Sequence, residues 1–308
     1  MFLERILAVK AQEVAQLRGD SALVQDSAPA SDPASAHSPA FIRSFESTAT
    51  SESTAARAKR PSLAEALAQG PDGFGLIAEV KKASPSKGVI RPDFDPVALA
   101  RAYEAAGAQA ISVLTDRHFF QGDIGDLVAI REHVRVPLLR KDFIIDRLQI
   151  DESVRAGADA ILLIAAALGD AQLADLCQYA RRCGLDVLLE VHTAREVAAA
   201  LRAKPNVIGI NNRDLHTFDV SLAVTAELAP LITTGIPVIS ESGISRPEDV
   251  AALKDLGVSG MLVGEFFMRQ SDVTGGVRAL CGPSTTSANA SFTSASTNVK
   301  GGAASGGK

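Results

Sequence analysis

The sequence predicts an α/β fold: a closed (β/α)8 TIM barrel with an N-terminal helical extension, a disordered insertion and a disordered C-terminal tail. Three observations lead there. Runs of apolar and β-branched residues recur eight times, at 74–80, 110–115, 137–141, 159–164, 186–190, 207–211, 237–241 and 260–264. Amphipathic segments at 96–106, 123–134, 147–156, 170–183, 193–203, 221–229 and 246–256 stand between them. Continuously apolar strands that alternate with helices call for a parallel sheet covered by helices. Eight such units in about 210 residues suit a closed barrel better than an open doubly wound sheet. No GxGxxG fingerprint follows the first run to favour the open sheet.

In chain order, residues 1–18 read as a helix, with Phe2, Leu3, Ile6, Leu7, Val14 and Leu17 mostly on one face and charges opposite. Residues 19–60 shift to Ser, Ala, Thr, Pro and Asp, with apolar docking points only at Phe41, Ile42 and Phe45. Such a segment cannot bury enough surface to offset its ordering entropy, so it reads as a disordered insertion. A short helix is expected over 62–69, and the barrel domain occupies 61–281. Within it, Gly107, Gly157, Gly184 and Gly257 each follow a helix as a C-cap before the next strand. Residues 282–308, rich in Ser, Ala, Gly and Thr, read as a disordered tail.

Composition limits the function. A net charge of −5 with interspersed signs offers no basic track for nucleic acid. The hydrophobic content of 46% supplies a large core, with no Trp in it. Cys177, Cys183 and Cys281 form no CxxC pair and leave an odd thiol, the pattern of a reducing compartment. Glu4, Arg5, Lys10 and Glu13 interrupt any signal-peptide core, and the longest apolar run, 160–168, is too short to span a bilayer. The expectation is a soluble, cytoplasmic protein with no membrane partner.

In a barrel of this type the chemistry sits at the carboxyl ends of the strands. The first run closes on Glu79 and Lys81, which two-residue strand spacing points to one face. The other runs end at Thr115 and Asp116, Lys141 and Asp142, Glu190, Asn211 to Arg213, Glu241 and Ser242, and Gly264 and Glu265. Any one of these could be an ordinary strand-end salt bridge. Carboxylates, lysines and an asparagine converging on one mouth are harder to explain that way. His37, His118, His133, His192 and His216 show no HxH or HExxH spacing and read as ordinary polar residues, so no metal is expected.

These residues with their flanks carry a family resemblance. The segments IAEVKKASPSKG (77–88), SVLTDRHFFQG (112–122), LLRKDFIID (138–146), GADAILLIAA (157–166), LLEVHT (188–193), IGINNRDL (208–215), VISESGI (238–244) and LVGE (262–265) resemble indole-3-glycerol phosphate synthases along the whole barrel. The resemblance extends to the N-terminal helix, which in that family packs near the barrel mouth. The insertion at 19–60 and the tail depart from the family pattern.

The resemblance implies a ring closure with loss of CO₂ and water, turning 1-(2-carboxyphenylamino)-1-deoxyribulose 5-phosphate into indole-3-glycerol phosphate in tryptophan biosynthesis. It implies Lys141 as general acid, Glu190 as base, and Lys81 on the substrate carboxylate with the division of the acid role between the two lysines left open. Glu79, Asn211 and Glu241 would orient them. Phosphate would meet Ser84, Arg213, Ser242, Gly243, Gly264 and the backbone N–H of Glu265, whose carboxylate is expected to turn away. Phe120 and Phe143 would hold the anthranilate ring. No cofactor is implied, because the aniline nitrogen supplies the electron push. The partner is a phosphorylated small molecule, and other tryptophan-pathway enzymes would be separate chains. Two other readings of the same residues are a Schiff-base lysine acting on a sugar-phosphate ketone and a non-catalytic phosphate-binding barrel.

Overall fold

A computed structural model of the chain describes residues 2–25 and 62–282. Its strands are β1 (Gly75–Val80), β2 (Ala110–Leu114), β3 (Leu138–Lys141), β4 (Ala160–Ile164), β5 (Asp186–Val191), β6 (Val207–Asn211), β7 (Val238–Glu241) and β8 (Gly260–Val263). All neighbours pair in parallel, and β1 joins both β2 and β8, which closes the barrel. The expected runs match these strands to within one or two residues.

The helices, in order, are α1 (Phe2–Gln25), α2 (Leu63–Leu67), α3 (Pro96–Ala105), α4 (Arg117–Phe120), α5 (Ile124–Arg131), α6 (Arg147–Ala156), α7 (Asp170–Arg182), α8 (Ala194–Ala203), α9 (Ala223–Leu228), α10 (Pro247–Asp255), α11 (Glu265–Met268) and α12 (Val273–Cys281). Their starts have chemical reasons. Asp95, Asp116, Asp146 and Thr193 each accept a backbone N–H at the head of a helix, and at α6 Gln149 completes a capping box. Gly107, Gly157, Gly184 and Gly257 all take positive φ after their helices, as expected of C-caps. A small antiparallel hairpin pairs Ala83–Ser84 with Gly88–Val89 just after β1.

Two apolar clusters result from strand parity. The larger lies between strands and outer helices and includes Leu76, Ala78 and Val80 of β1. The smaller fills the barrel with Ile77, Ala110, Leu139, Leu162, Leu188, Val207, Ile239 and Leu262, and α2 adds Leu63 and Leu67 to it. Those two leucines are fully buried, and Asp186 at the start of β5 anchors the helix through Leu63 N–H at 2.7 Å. Because active-site ends of parallel strands are their carboxyl ends, α2 seals the floor and leaves the other mouth free.

The N-terminal helix is longer than the expected 1–18, running to Gln25. The remainder of the 19–60 insertion, with Phe41, Ile42 and Phe45, and the tail beyond Gly282 lie outside the described residues. Among the described residues no helix is long and apolar enough to cross a membrane.

Candidate active site

Parity decides which side chains face the mouth. Ile77 points into the barrel, so Glu79 and Lys81, in step with it, do so at the carboxyl end of β1. By the same alternation Leu139 brings Lys141 inward, Leu188 brings Glu190, Val207 brings Asn211, Ile239 brings Glu241 and Leu262 brings Gly264. These ends enclose a cavity of about 590 Å³. All of them line it, as do Ser84, Phe120, Phe143, Arg213, Ser242, Gly243 and Glu265, so the structure brings together the residues expected to contact substrate, whereas Thr115, Asp116 and Asn212, also at strand ends, do not line the cavity.

At its centre the Lys141 ammonium stands 3.5 Å from Glu190 Oε2 and 3.6 Å from Glu241 Oε2. Lys81 pairs directly with Glu79. The three carboxylates are at most 4% exposed. Burial alone would pull the Lys141 pKa down, but Glu190, Glu241 and Glu79 outweigh it and hold the proton more tightly than on an ordinary lysine. Burial likewise opposes ionisation of Glu79, and Lys81 and Lys141 overcome it, so its pKa falls. At Glu241 burial wins over Lys141, and the neighbouring Glu190 and Glu79 add to it; the carboxyl is pushed up to about 7. Room for this cluster comes from glycine. A Cβ at Gly209, the β6 partner of Glu190, would stand 2.1 Å from Glu241 Oε1, and one at Gly264 would stand 2.4 Å from Glu79 Oε1.

The loops after β2 to β4 make an apolar flank. Phe120 and Phe143 face each other with ring centroids 6.1 Å apart, beside Leu114, Leu162 and Ile164. The loops after β6, β7, β8 and β1 make a polar one. Ser84 Oγ is buried there without a hydrogen-bond partner among the described residues. Ser242 and Gly243 both have left-handed φ, 68° and 84°, and a Cβ at Gly243 would stand 2.6 Å from Val220 Cγ1. The Glu265 carboxylate does turn, to Arg269 at 3.0 Å, but its second oxygen stays 3.6 Å from Arg213. It therefore balances the charge of that arginine rather than leaving the flank.

Three features escaped the sequence reading. Lys10, counted with the exposed charges, is 1% exposed and binds Asp116 and Asp142 at 2.8 Å and Glu13 at 2.9 Å. The signal was its spacing: it sits four residues from both Ile6 and Val14, inside the buried stripe. Phe2, Leu3 and Ile6 of α1 form part of the cavity wall, and Phe2 packs edge-on against Phe119 and Phe218 at 5.6 and 5.2 Å. His192, read as an ordinary polar residue, lies 3.4 Å from Glu190 Oε1. Conversely, Asn212 serves the scaffold, bonding Ser240, Thr225 and the Ser242 carbonyl.

Fold and cavity together define a (β/α)8-barrel enzyme with a lysine–carboxylate cluster at the carboxyl ends of its strands. Solved structures support the fold alone: 3-hexulose-6-phosphate synthase matches with a TM-score of 0.53 at 13% identity, over 67% of this chain and 98% of its own. Thiamine phosphate pyrophosphorylase from Pyrococcus furiosus matches with 0.51 at 17%, over 68% and 94%. Sequence goes further. The protein named indole-3-glycerol phosphate synthase in Geobacillus thermodenitrificans is 56% identical over 225 residues, 73% of this chain and 87% of that protein. The one so named in Desulfotalea psychrophila is 45% identical over 270 residues, 87% and 93%. A sequence profile of the indole-3-glycerol phosphate synthase family matches residues 34–280. The chain belongs to that family.

Proposed function

We propose that this cavity runs the family's ring closure with Lys141 as general acid and Glu190 as base. As a carboxy-lyase of tryptophan biosynthesis, the protein converts 1-(2-carboxyphenylamino)-1-deoxyribulose 5-phosphate to indole-3-glycerol phosphate, CO₂ and water. The observation that carries the residue assignment is the Lys141 ammonium, shared between Glu190 and Glu241 beside an apolar wall.

In the first step the ring carbon that bears the carboxylate attacks the ketone, and the carbonyl oxygen takes a proton from Lys141. A fixed cation in a dry cavity stabilises the oxyanion as it forms. Loss of CO₂ restores the aromatic ring. In the second step the hydroxyl leaves as water with a proton from a lysine, while Glu190 removes the proton from the neighbouring carbon. Lys81, held by Glu79, is suited to the substrate carboxylate and is the second candidate for the acid role. Asn211 and Glu241, register partners across β6 and β7, orient Lys141 and the substrate hydroxyls. Phe120 and Phe143 hold the anthranilate ring. The phosphate lies on Ser84, Arg213, Ser242, Gly243, Gly264 and the Glu265 backbone, where the unpartnered Ser84 hydroxyl supports it. A cytoplasmic location, and other pathway enzymes on separate chains, complete the reading.

Turnover of the substrate by wild type, Lys141→Ala and Glu190→Gln tests it. Wild type should form product, and each folded variant should lose about 100-fold or more in kcat. A folded Lys141→Ala that keeps wild-type kcat overturns the acid assignment.

A further inference from the structure

We propose that His192 is a positioning residue for Glu190, its imidazole linking the Glu196 carboxylate to Glu190 Oε1. The inference rests on Glu190 being the base.

Glu190, near the end of β5, lines the cavity, and His192, two residues on and just past the strand, lies beside it. Thr193 then caps α8, and Glu196 in its first turn folds back to accept the His192 backbone N–H at 2.7 Å. The His192 ring, 12% exposed, lies between two carboxylates, with Nδ1 3.5 Å from Glu196 Oε2 and Nε2 3.4 Å from Glu190 Oε1. Neither ring nitrogen has a closer hydrogen-bond partner among the described residues. With a carboxylate within ion-pair distance of each nitrogen, the form the site favours is the imidazolium, which carries an N–H at both.

The charges around the ring agree with that form. Glu190 faces it from β5, Glu196 from α8 and Glu241 from β7, while Lys141 of β3 lies on the far side of Glu190. Burial alone would lower the His192 pKa; the carboxylates outweigh it and raise the value. Glu190 is thereby held at both ends, Oε2 by Lys141 and Oε1 by His192. A base spanned in this way cannot rotate away from the proton it removes. Glu196 holds the ring and does not reach the reacting atoms.

The test uses the full chain and the substrate above, with His192→Asn, His192→Gln and Glu196→Gln. His192→Asn should lower kcat by up to about 100-fold with KM changed less than about threefold. Wild-type kcat should fall as pH rises through the His192 ionisation, followed independently by NMR of the ring. That limb should vanish in His192→Asn and move to lower pH in Glu196→Gln, which removes one of the carboxylates that hold the proton. A purely structural histidine would change the melting temperature without moving the limb. Wild-type kcat and pH dependence in folded His192→Asn overturn the proposal. If that variant misfolds, an unmoved limb in Glu196→Gln overturns it instead. Full activity in Glu190→Gln would refute the base assignment, a separate failure.

Discussion

Gly209 shows how closely the site is fitted at the scale of one atom. A methyl there meets the end of the Glu241 side chain and, at 3.2 Å, Leu188 Cδ1, so the carboxylate has to swing off Lys141. Gly209→Ala should lower kcat by up to about 100-fold while destabilising the fold by about 1–3 kcal/mol. Parallel kinetics and denaturation would show this, and Gly209→Ala/Glu241→Asp, with its shorter acid, should recover stability. The sequence made Glu241 legible because it closes an apolar run. It hid the role of Gly209, because a glycine inside a strand gives no sign of which neighbour needs the space. His192 was hidden for a related reason: its two partners lie two and four residues away, and only the strand-to-helix turn brings both to the ring.

At the scale of an element, α1 is held to the mouth by charge. Lys10 neutralises Asp116, which caps the helix carrying Phe120, and Asp142, which follows Lys141. Arg140 and Thr115 also hold Asp142, and despite its burial Arg140 and Lys10 keep its carboxyl well below the usual carboxylate range. Lys10→Met should therefore destabilise by about 3 kcal/mol. The sign with pH follows from the two shifts. The depressed Asp142 contributes stability above its unfolded pKa of about 3.9 that is lost as pH falls. Burial would lower the Lys10 pKa, but Asp142 and Asp116 outweigh it and raise the value, so Lys10 contributes stability below its unfolded pKa of about 10.4 that is lost as pH rises. Denaturation from pH 2 to 8 should show the wild-type advantage constant above about pH 4 and shrinking below it. The stripe of α1 was legible from its period, but the lysine in it was not, because periodicity reports a buried face without naming the carboxylates that await it.

For the whole molecule, eight apolar runs and their capped helices left little freedom, and the strand ends named the charged centre of the cavity, though not the wall that α1 adds. What they could not name was the balance of charge inside it, which depends on distances across the barrel. At Glu241 that balance opposes stability. A carboxyl whose folded pKa is raised, as in Glu241, favours the fold while protonated and erodes it as pH climbs from its unfolded value of about 4.3 to about 7. Glu241→Gln should thus stabilise the protein by on the order of 1–3 kcal/mol at pH 8, with the gap closing below about pH 4, while kcat falls. Calorimetry across that range would test it. The clasp of Phe2 on Phe119 and Phe218 has a consequence of an optical kind. It joins the loops after β2 and β6 over the mouth, and the chain contains no Trp. A Phe2→Trp variant would carry a single indole emitter, excitable apart from the two tyrosines, so its colour and quenching would report in real time whether the mouth is covered.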